Sequence, residues 1–243
     1  YLILETINKI KKEDIEKYEI KDIAATLQQF TIDKVFETIL PLKTSDNLCV
    51  AGGVAYNGYM NEEFTKYWTN VHVPPAIGDE GQSLGTYMHA DFTQNKNIHT
   101  PETYAGKEYD FNEGTPIDAN KVAQEIANGK IIGLFNGKSE SGNRALGNRS
   151  ILADPRNANI KDIINEEIKR REDFRPFAPS ILEECYKEWF NTNQPSPYMS
   201  RIVTVKKDSI PGVTHVDNTS RIQTVNEKQN LKFYQVIKEF YKL

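Results

Sequence analysis

Residues 141–156 read S-G-N-R-A-L-G-N-R-S-I-L-A-D-P-R, with Arg144, Arg149 and Arg156 set among glycines, asparagines and small apolar residues. A guanidinium stays charged when partly buried and meets phosphate or carboxylate oxygens with two parallel N–H donors. Gly142 and Gly147 let the backbone approach a ligand closely and present N–H groups unobstructed by a side chain. The run is therefore suited to an anion with several charged oxygens. The competing reading is local neutralisation: Asp154, Glu166, Glu167, Glu172 and Asp173 stand near Arg156, Arg170, Arg171 and Arg175. Arg144 and Arg149 have only Glu140 close by.

Other stretches bear on the same chemistry. G-L-F-N-G-K-S, residues 133–139, imitates a phosphate-binding P-loop, but Gly133 and Gly137 enclose three residues where the motif needs four. That spacing argues against the motif, although Lys138 can still reach a phosphate. A-G-G-V-A-Y-N, residues 51–57, puts Gly52 and Gly53 where a strand meets a helix, a geometry that serves either a plain turn or a phosphate. In G-D-E-G, residues 78–81, Asp79 is either a helix N-cap or a hard oxygen ligand for a metal ion. In V-T-H-V-D-N-T-S-R-I-Q-T-V, residues 213–225, an extended strand would put His215, Asp217, Thr219, Arg221 and Gln223 on one face. Such a face is either solvated or held by a ligand, because burying it unpartnered is costly. His72, His89 and His99 show no ligand spacing.

Alternating strands and helices must position these residues. Apolar groups at helical spacing run from Ile20 to Leu40 and stop at Pro41. Residues 47–57 read as strand, turn and helix start; residues 71–75 as a short strand; residues 76–88 as a glycine loop entering a helix. Residues 93–115 are polar and aperiodic, a linker. Asp118 then N-caps a helix closed by Gly129, residues 130–135 form a strand, and Ile160 to Ile168 mark an amphipathic helix. Residues 175–182 and 201–205 read as extended, and the chain closes on an amphipathic helix. The class expected is α/β.

Composition narrows the function classes. A net charge of −4 and a pI near 5.7 argue against a general nucleic-acid binder. Cys49 and Cys185 have no paired spacing, so neither a disulfide framework nor a zinc site is expected. No apolar run reaches the roughly 20 residues that span a bilayer, and a cytoplasmic protein without membrane contact is expected. The chain opens without methionine, in the apolar-bearing residues 1–7, and both ends are expected to be cut from something longer.

Taken in order, N-L-C-V-A-G-G-V-A-Y-N, V-P-P-A-I-G-D-E-G-Q-S-L-G, G-N-R-A-L-G-N-R-S-I-L-A-D-P-R, F-R-P-F-A-P-S-I-L-E-E, S-P-Y-M and T-H-V-D-N-T-S-R-I-Q-T-V closely resemble the NodU/CmcH family of O-carbamoyltransferases. The resemblance runs from about residue 20 to the end. It implies a partial actin/hexokinase-type ATPase (TsaD-like) domain over residues 1–95, a linker over 96–115, and a C-terminally incomplete YrdC-like domain over 116–243. In the family, ATP and carbamoyl phosphate give carbamoyl adenylate in the YrdC-like unit. The TsaD-like unit, holding a metal that is typically iron, passes the carbamoyl group to a small-molecule hydroxyl. Carried over by motif, Gly52, Gly53 and Asn57 would touch the nucleotide and Asp79 would bind metal. Lys138, Arg144, Arg149, Arg175 and Arg221 would hold phosphates in the activating unit, Lys138, Arg144 and Arg149 as its catalytic cations. His215, on the expected strand face of Arg221, would bind substrate or nucleotide. Magnesium can accompany the ATP, and a homodimer is allowed.

Asn143 stands where the family usually has proline, and Ser139–Gly142 where it has an acidic–hydrophobic–glycine lead-in. The family's histidine pair and its T-G-x-P-x-L-x-N-T-S-F-N element have no match. The resemblance thus implies an internal fragment, inactive alone. The other readings are a nucleotide-binding regulatory module without catalysis and a relative of tRNA-threonylcarbamoylating enzymes. The governing expectation is that guanidinium groups from separate segments converge on one polyanion pocket.

Overall fold

The computed structural model describes residues 16–100, 102–109 and 113–243. The expectation placed on residues 1–7 lies outside them. Packing divides the described residues into two compact units, one ending at residue 46 and the other covering residues 47–243. In the first, helix α1 spans Ile20–Ile39, and Leu40–Leu42 add one 3-10 turn built around Pro41. Proline has no N–H to donate and its ring clashes with the preceding turn, so α1 ends there.

The second unit begins with strand β1 (Asn47–Cys49), a 3-10 turn (Gly53–Tyr56) and helix α2 (Gly58–Phe64). Strand β2 (Asn70–His72) runs parallel to β1, pairing Leu48 with Val71. A 3-10 turn (Asp79–Gly81) leads into α3 (Gln82–Asn95), so three residues expected in the linker complete a helix. Helix α4 (Ala119–Ala127) is capped by the Asp118 side chain, which accepts from the Lys121 N–H, and Gly129 turns away from it at φ +85°.

Strands β3 (Ile132–Phe135) and β4 (Arg149–Leu152) form an antiparallel hairpin, so Arg149 opens a strand rather than lying in the loop before one. Helix α5 (Ile160–Ile163) widens into a π-helical stretch at Ile164–Lys169 and stops at Arg170, φ +48°. Inside it, the buried Asn165 amide donates to the carbonyls of Asp173 and Arg175, holding the following loop against the helix. Strand β5 (Ser180–Leu182), helix α6 (Tyr186–Trp189), and strands β6 (Phe190–Asn191), β7 (Arg201–Val205) and β8 (Thr219–Val225) follow, then helix α7 (Leu231–Phe240). The sheet order is β5-β8-β7-β6, with β5 parallel to β8 and the other pairs antiparallel.

Strand β8 is central, and both of its faces are covered. Ile222 lies in an apolar cluster with Phe190, Val203 and Ile210; Val225 packs on the other side with Leu134, Leu182 and Phe233. The architecture is mixed α/β, and segments from both sides of residues 96–115 share this unit. Among the described residues, no helix is long and apolar enough to cross a membrane. Cys49 and Cys185 are unbridged thiols.

Candidate anion-binding site

The loop joining β3 to β4 carries Arg144, and its shape is set by its own side chains. One carboxylate oxygen of Glu140 accepts the N–H groups of Leu146 (2.8 Å), Asn148 (2.9 Å) and Arg149 (3.1 Å). Gly147 takes φ +108° over the Phe233 ring and donates its N–H to Ser150 Oγ. The Gln223 amide and the Tyr104 hydroxyl both donate to the Leu146 carbonyl. Residues 102–107 run alongside: Ser141 N–H donates to the Thr103 carbonyl and Gly106 N–H to that of Ser139. The loop's backbone amides, expected from sequence to face a ligand, are thus largely taken by an internal carboxylate and a serine hydroxyl. A carboxylate oxygen has lone pairs enough for several donors, so it can organise such a turn.

Arg149 completes the loop from below. Its guanidinium donates to the carbonyls of Asn136 (2.9 Å), Asn148 (2.7 Å) and Gly137 (2.9 Å), and lies 3.6 Å over the Phe135 ring. Arg175 is exposed and paired with Glu172 at 2.9 Å; Arg156 is paired with Asp154 at 2.8 Å. Lys138 is exposed, and its carbonyl accepts from the Asn148 amide. Of the cations named from sequence, these do not line the cavity described next. The expected convergence is narrower: it joins two arginines.

Those two are Arg144 and Arg221. They line one small cavity, about 10 Å³ in volume, with Tyr56, Asn143, Tyr198 and Ser200. Arg221 donates from Nη1 to the Met199 carbonyl (2.8 Å) and from Nη2 to the Tyr56 carbonyl (3.4 Å). Gly58 gives it room to lie there: a Cβ on that residue would sit 2.7 Å from Ile202 Cγ1 and 3.1 Å from Arg221 Nη1. Burial, with the neighbouring positive charge of Arg144, pushes the Arg221 guanidinium down to about 10 from its ordinary 12.5. The Arg144 guanidinium lies 5.8 Å from the Tyr56 ring centre. Among the described residues, neither arginine has a carboxylate partner within 4.0 Å. Two neighbouring cations, one of them partly desolvated, repel each other until an anion binds between them.

The polar run of residues 215–223 reaches this region by two routes. Only Thr219, Arg221 and Gln223 alternate along β8; His215 and Asp217 come back through a turn in which His215 N–H donates to the Thr219 carbonyl and Asn218 adopts φ +58°. Asp217 accepts from the Tyr59 hydroxyl (2.6 Å) and the Thr219 hydroxyl (2.6 Å). Burial alone would raise its carboxyl; hydrogen bonds from Thr219 and Tyr59 outweigh that and hold it below the usual range. His215 Nδ1 bonds the Thr219 hydroxyl, Nε2 is buried without a partner, and burial pushes the imidazole down towards its neutral form.

The glycine pair behaves differently from its neighbours in the motif. Gly52, at φ +95°, gives its N–H to the Ile77 carbonyl, tying the 51–57 turn to the 77–81 loop. A Cβ on Gly53 would meet open space. The Asn57 side chain caps α2 by accepting from the Met60 N–H. Asp79 is exposed and accepts from the Gln82 amide. Its neighbour Glu80 is engaged by the Tyr56 hydroxyl and the Gly78 N–H. Among the described residues no group of three or more His, Cys, Asp and Glu side chains is arranged to hold a metal, so these residues do not by themselves fit one.

The roles of Tyr56, Tyr59 and Glu80 have no counterpart in the sequence reading, and neither does the pairing of Asp217 with Tyr59. Glu140 carried a signal, as the lone acid beside two arginines. Tyr56 carried none beyond its place after a glycine pair.

Two family models match the chain: one described as carbamoyltransferase N-terminus over residues 3–88, the other as carbamoyltransferase C-terminus over residues 123–243. The chain is 36% identical over 252 residues to nodulation protein NolO of Bradyrhizobium diazoefficiens, covering 91% of this chain and 46% of that protein. It is 33% identical over 271 residues to an uncharacterised Synechocystis protein, covering 90% and 44%. It is 30% identical over 243 residues to the 3'-hydroxymethylcephem-O-carbamoyltransferase of Amycolatopsis lactamdurans, covering 93% and 46%. The chain spans about half the length of these curated relatives.

Proposed function

The chain belongs to the NodU/CmcH-type carbamoyltransferase family, and from that premise we propose that it is part of an ATP-dependent O-carbamoyltransferase. Carbamoyl phosphate gives up its phosphate to water. The resulting carbamate oxygen attacks the α-phosphorus of ATP, forming carbamoyl adenylate and expelling pyrophosphate. A substrate hydroxyl then attacks the carbamoyl carbon, AMP leaves, and the hydroxyl proton passes to a base. Residues 116–243 would form the YrdC-like activating unit and residues 1–95 part of the TsaD-like transferring unit. The cephem relative's name supports a hydroxyl acceptor of small-molecule class.

The observation that carries this reading is the Arg144–Arg221 pair, two cations sharing a cavity without a carboxylate between them. Donors fixed in place before the reaction stabilise charge that develops on phosphate oxygens, and here the cost of bringing the cations together is met in folding. Gln223 and Glu140 hold the two segments from behind. Asp79 stands without the further ligands that a metal ion needs among the described residues.

The test is pyrophosphate release by the full-length protein on mixing ATP with carbamoyl phosphate. Release is expected, and Arg144→Ala and Arg221→Ala should each lower it at least tenfold. Absence of release from the unaltered full-length protein overturns the reading.

A further inference from the structure

Tyr56 makes a contact through each of three chemically different parts. Its carbonyl accepts from Arg221 Nη2 at 3.4 Å. Its ring lies 5.8 Å from the Arg144 guanidinium carbon. Its hydroxyl donates to Glu80 Oε1. We infer that Tyr56 is a positioning residue that sets both arginines of the anion site and links them, through Glu80, to the Gly78–Gly81 loop. The inference rests on the carbamoyl-activating reading above and deepens it.

The local chain leaves Tyr56 little freedom. It ends the Gly53–Tyr56 turn, and the next residue's N–H is bonded to the Val54 carbonyl, so the Tyr56 carbonyl points away from the turn and is available to Arg221. Gly78 closes the far side of the ring: a Cβ there would come within 3.0 Å of Tyr56 Cε2 and its hydroxyl oxygen. The Gly52 N–H to Ile77 carbonyl bond (2.7 Å) fixes the two loops to each other just upstream of both residues. The Glu80 oxygen that takes the hydroxyl also takes the Gly78 N–H, so the carboxylate cannot follow the ring if the ring moves.

Arg144 has no hydrogen bond or ion pair among the described residues, and the tyrosine face is its one attractive contact there. An arginine has several rotatable bonds, and ordering it on ligand binding lowers affinity unless something orders it beforehand. A ring face attracts a guanidinium without using up its N–H donors, which stay available for phosphate oxygens. The Glu80 hydrogen bond places electron density on the phenol and fixes the ring plane. It acts on Arg144 only through Tyr56.

The experiment is a double-mutant cycle on the full-length protein, read as KM for carbamoyl phosphate and kcat for pyrophosphate release, with pyrophosphate binding by this chain measured alongside by calorimetry. Tyr56→Leu keeps an apolar side chain and the carbonyl but removes the ring face; KM and the dissociation constant should each rise on the order of tenfold. Tyr56→Phe and Glu80→Gln should each raise them about threefold, and the double variant should be no worse than either single change, because both cut one link. A space-filling role would leave the Leu variant within twofold and make the Phe and Gln effects multiply; either outcome overturns the inference. If the unaltered protein releases no pyrophosphate, the functional reading falls, and the calorimetric cycle still decides the positioning role. If the unaltered chain binds no pyrophosphate either, both fall.

Discussion

Replacing Arg221 with methionine separates what this residue contributes to folding from what it contributes to an anion. In the ligand-free protein the guanidinium is disfavoured: burial and Arg144 bring it from 12.5 to about 10, which corresponds to a penalty of about 3 kcal/mol at 1.36 kcal/mol per pH unit. The folded state binds this proton more weakly than the unfolded chain. The penalty is therefore fully present at every pH below about 10 and fades only as pH rises from there towards 12.5. Methionine removes the charge and keeps much of the volume. Against the gain stand two lost hydrogen bonds, to the Met199 and Tyr56 carbonyls, at roughly 1 kcal/mol each. The balance favours Arg221→Met by about 1 kcal/mol, which in a chain of this size raises Tm by roughly 2–4 °C. Inorganic pyrophosphate, binding the native state alone, should raise the wild-type Tm according to its occupancy and leave the variant nearly unmoved. Differential scanning calorimetry between pH 6 and 9, with chloride matched for ionic strength, makes both comparisons, and the ligand-free difference should not change across that range. A variant less stable than wild type by more than about 2 kcal/mol, or one that keeps the full pyrophosphate shift, would refute the picture of a strained cation awaiting an anion.

Three further changes probe the supports of the site. Glu140→Ala removes the one acceptor of three loop amides and should cost about 1–3 kcal/mol and weaken pyrophosphate binding, with Glu140→Gln intermediate; thermal unfolding and calorimetry measure both. Gly147→Ala forces a side chain to φ +108° with its Cβ 2.3 Å from Phe233 Cδ1, and a loss above about 3 kcal/mol, or failure to fold, is expected by circular dichroism. Gly58→Ala pushes against Ile202 at 2.7 Å and should cost about 1–3 kcal/mol while lowering anion affinity, because Arg221 is next in line at 3.1 Å. An unchanged Tm in the Gly58 variant would mean that α2 and β7 are not in the close register described.

Much of the fold could be read from local signals. Asp118 and Gly129 bracket α4 as an N-cap and a left-handed turn, and Pro41 ends α1, because each acts on backbone groups within one turn of itself. The hairpin partner β4 was hidden: R-S-I-L looks like the tail of a loop, and only pairing with I-G-L-F makes it a strand. The 215–223 run departs from its alternating pattern for a related reason. An alternating pattern fixes which residues share a face only while the chain stays extended, and the turn at Asn218 breaks the strand before His215 and Asp217 are reached. Gln223 is the subtler case, a polar residue at a buried strand position whose amide is satisfied by Ser180 and by the Leu146 carbonyl some seventy residues away in sequence. No local pattern carries that information.

The arginines show where the boundary between readable and unreadable falls. Arg156 and Arg175 have acids two and three residues before them, and both are neutralised by those acids. That outcome follows from spacing, since a carboxylate so near in sequence lies within reach in almost any turn. Arg149 has no such acid and is held by carbonyls of its own hairpin loop, which requires only that the loop close. Arg144 and Arg221 do have acids four residues before them, Glu140 and Asp217, but those carboxylates are taken by loop amides and by the Tyr59 and Thr219 hydroxyls. Strand β8, Gly58 and Tyr56 bring the two arginines together across 76 intervening residues. A close acid in sequence therefore neutralises an arginine only where that carboxylate is not already engaged, and the fold decides which carboxylates are: Asp154 and Glu172 are left to their arginines, whereas Glu140 and Asp217 are not. A cation left without a carboxylate partner, held beside another such cation, is one the protein stabilises less well alone than with an anion bound.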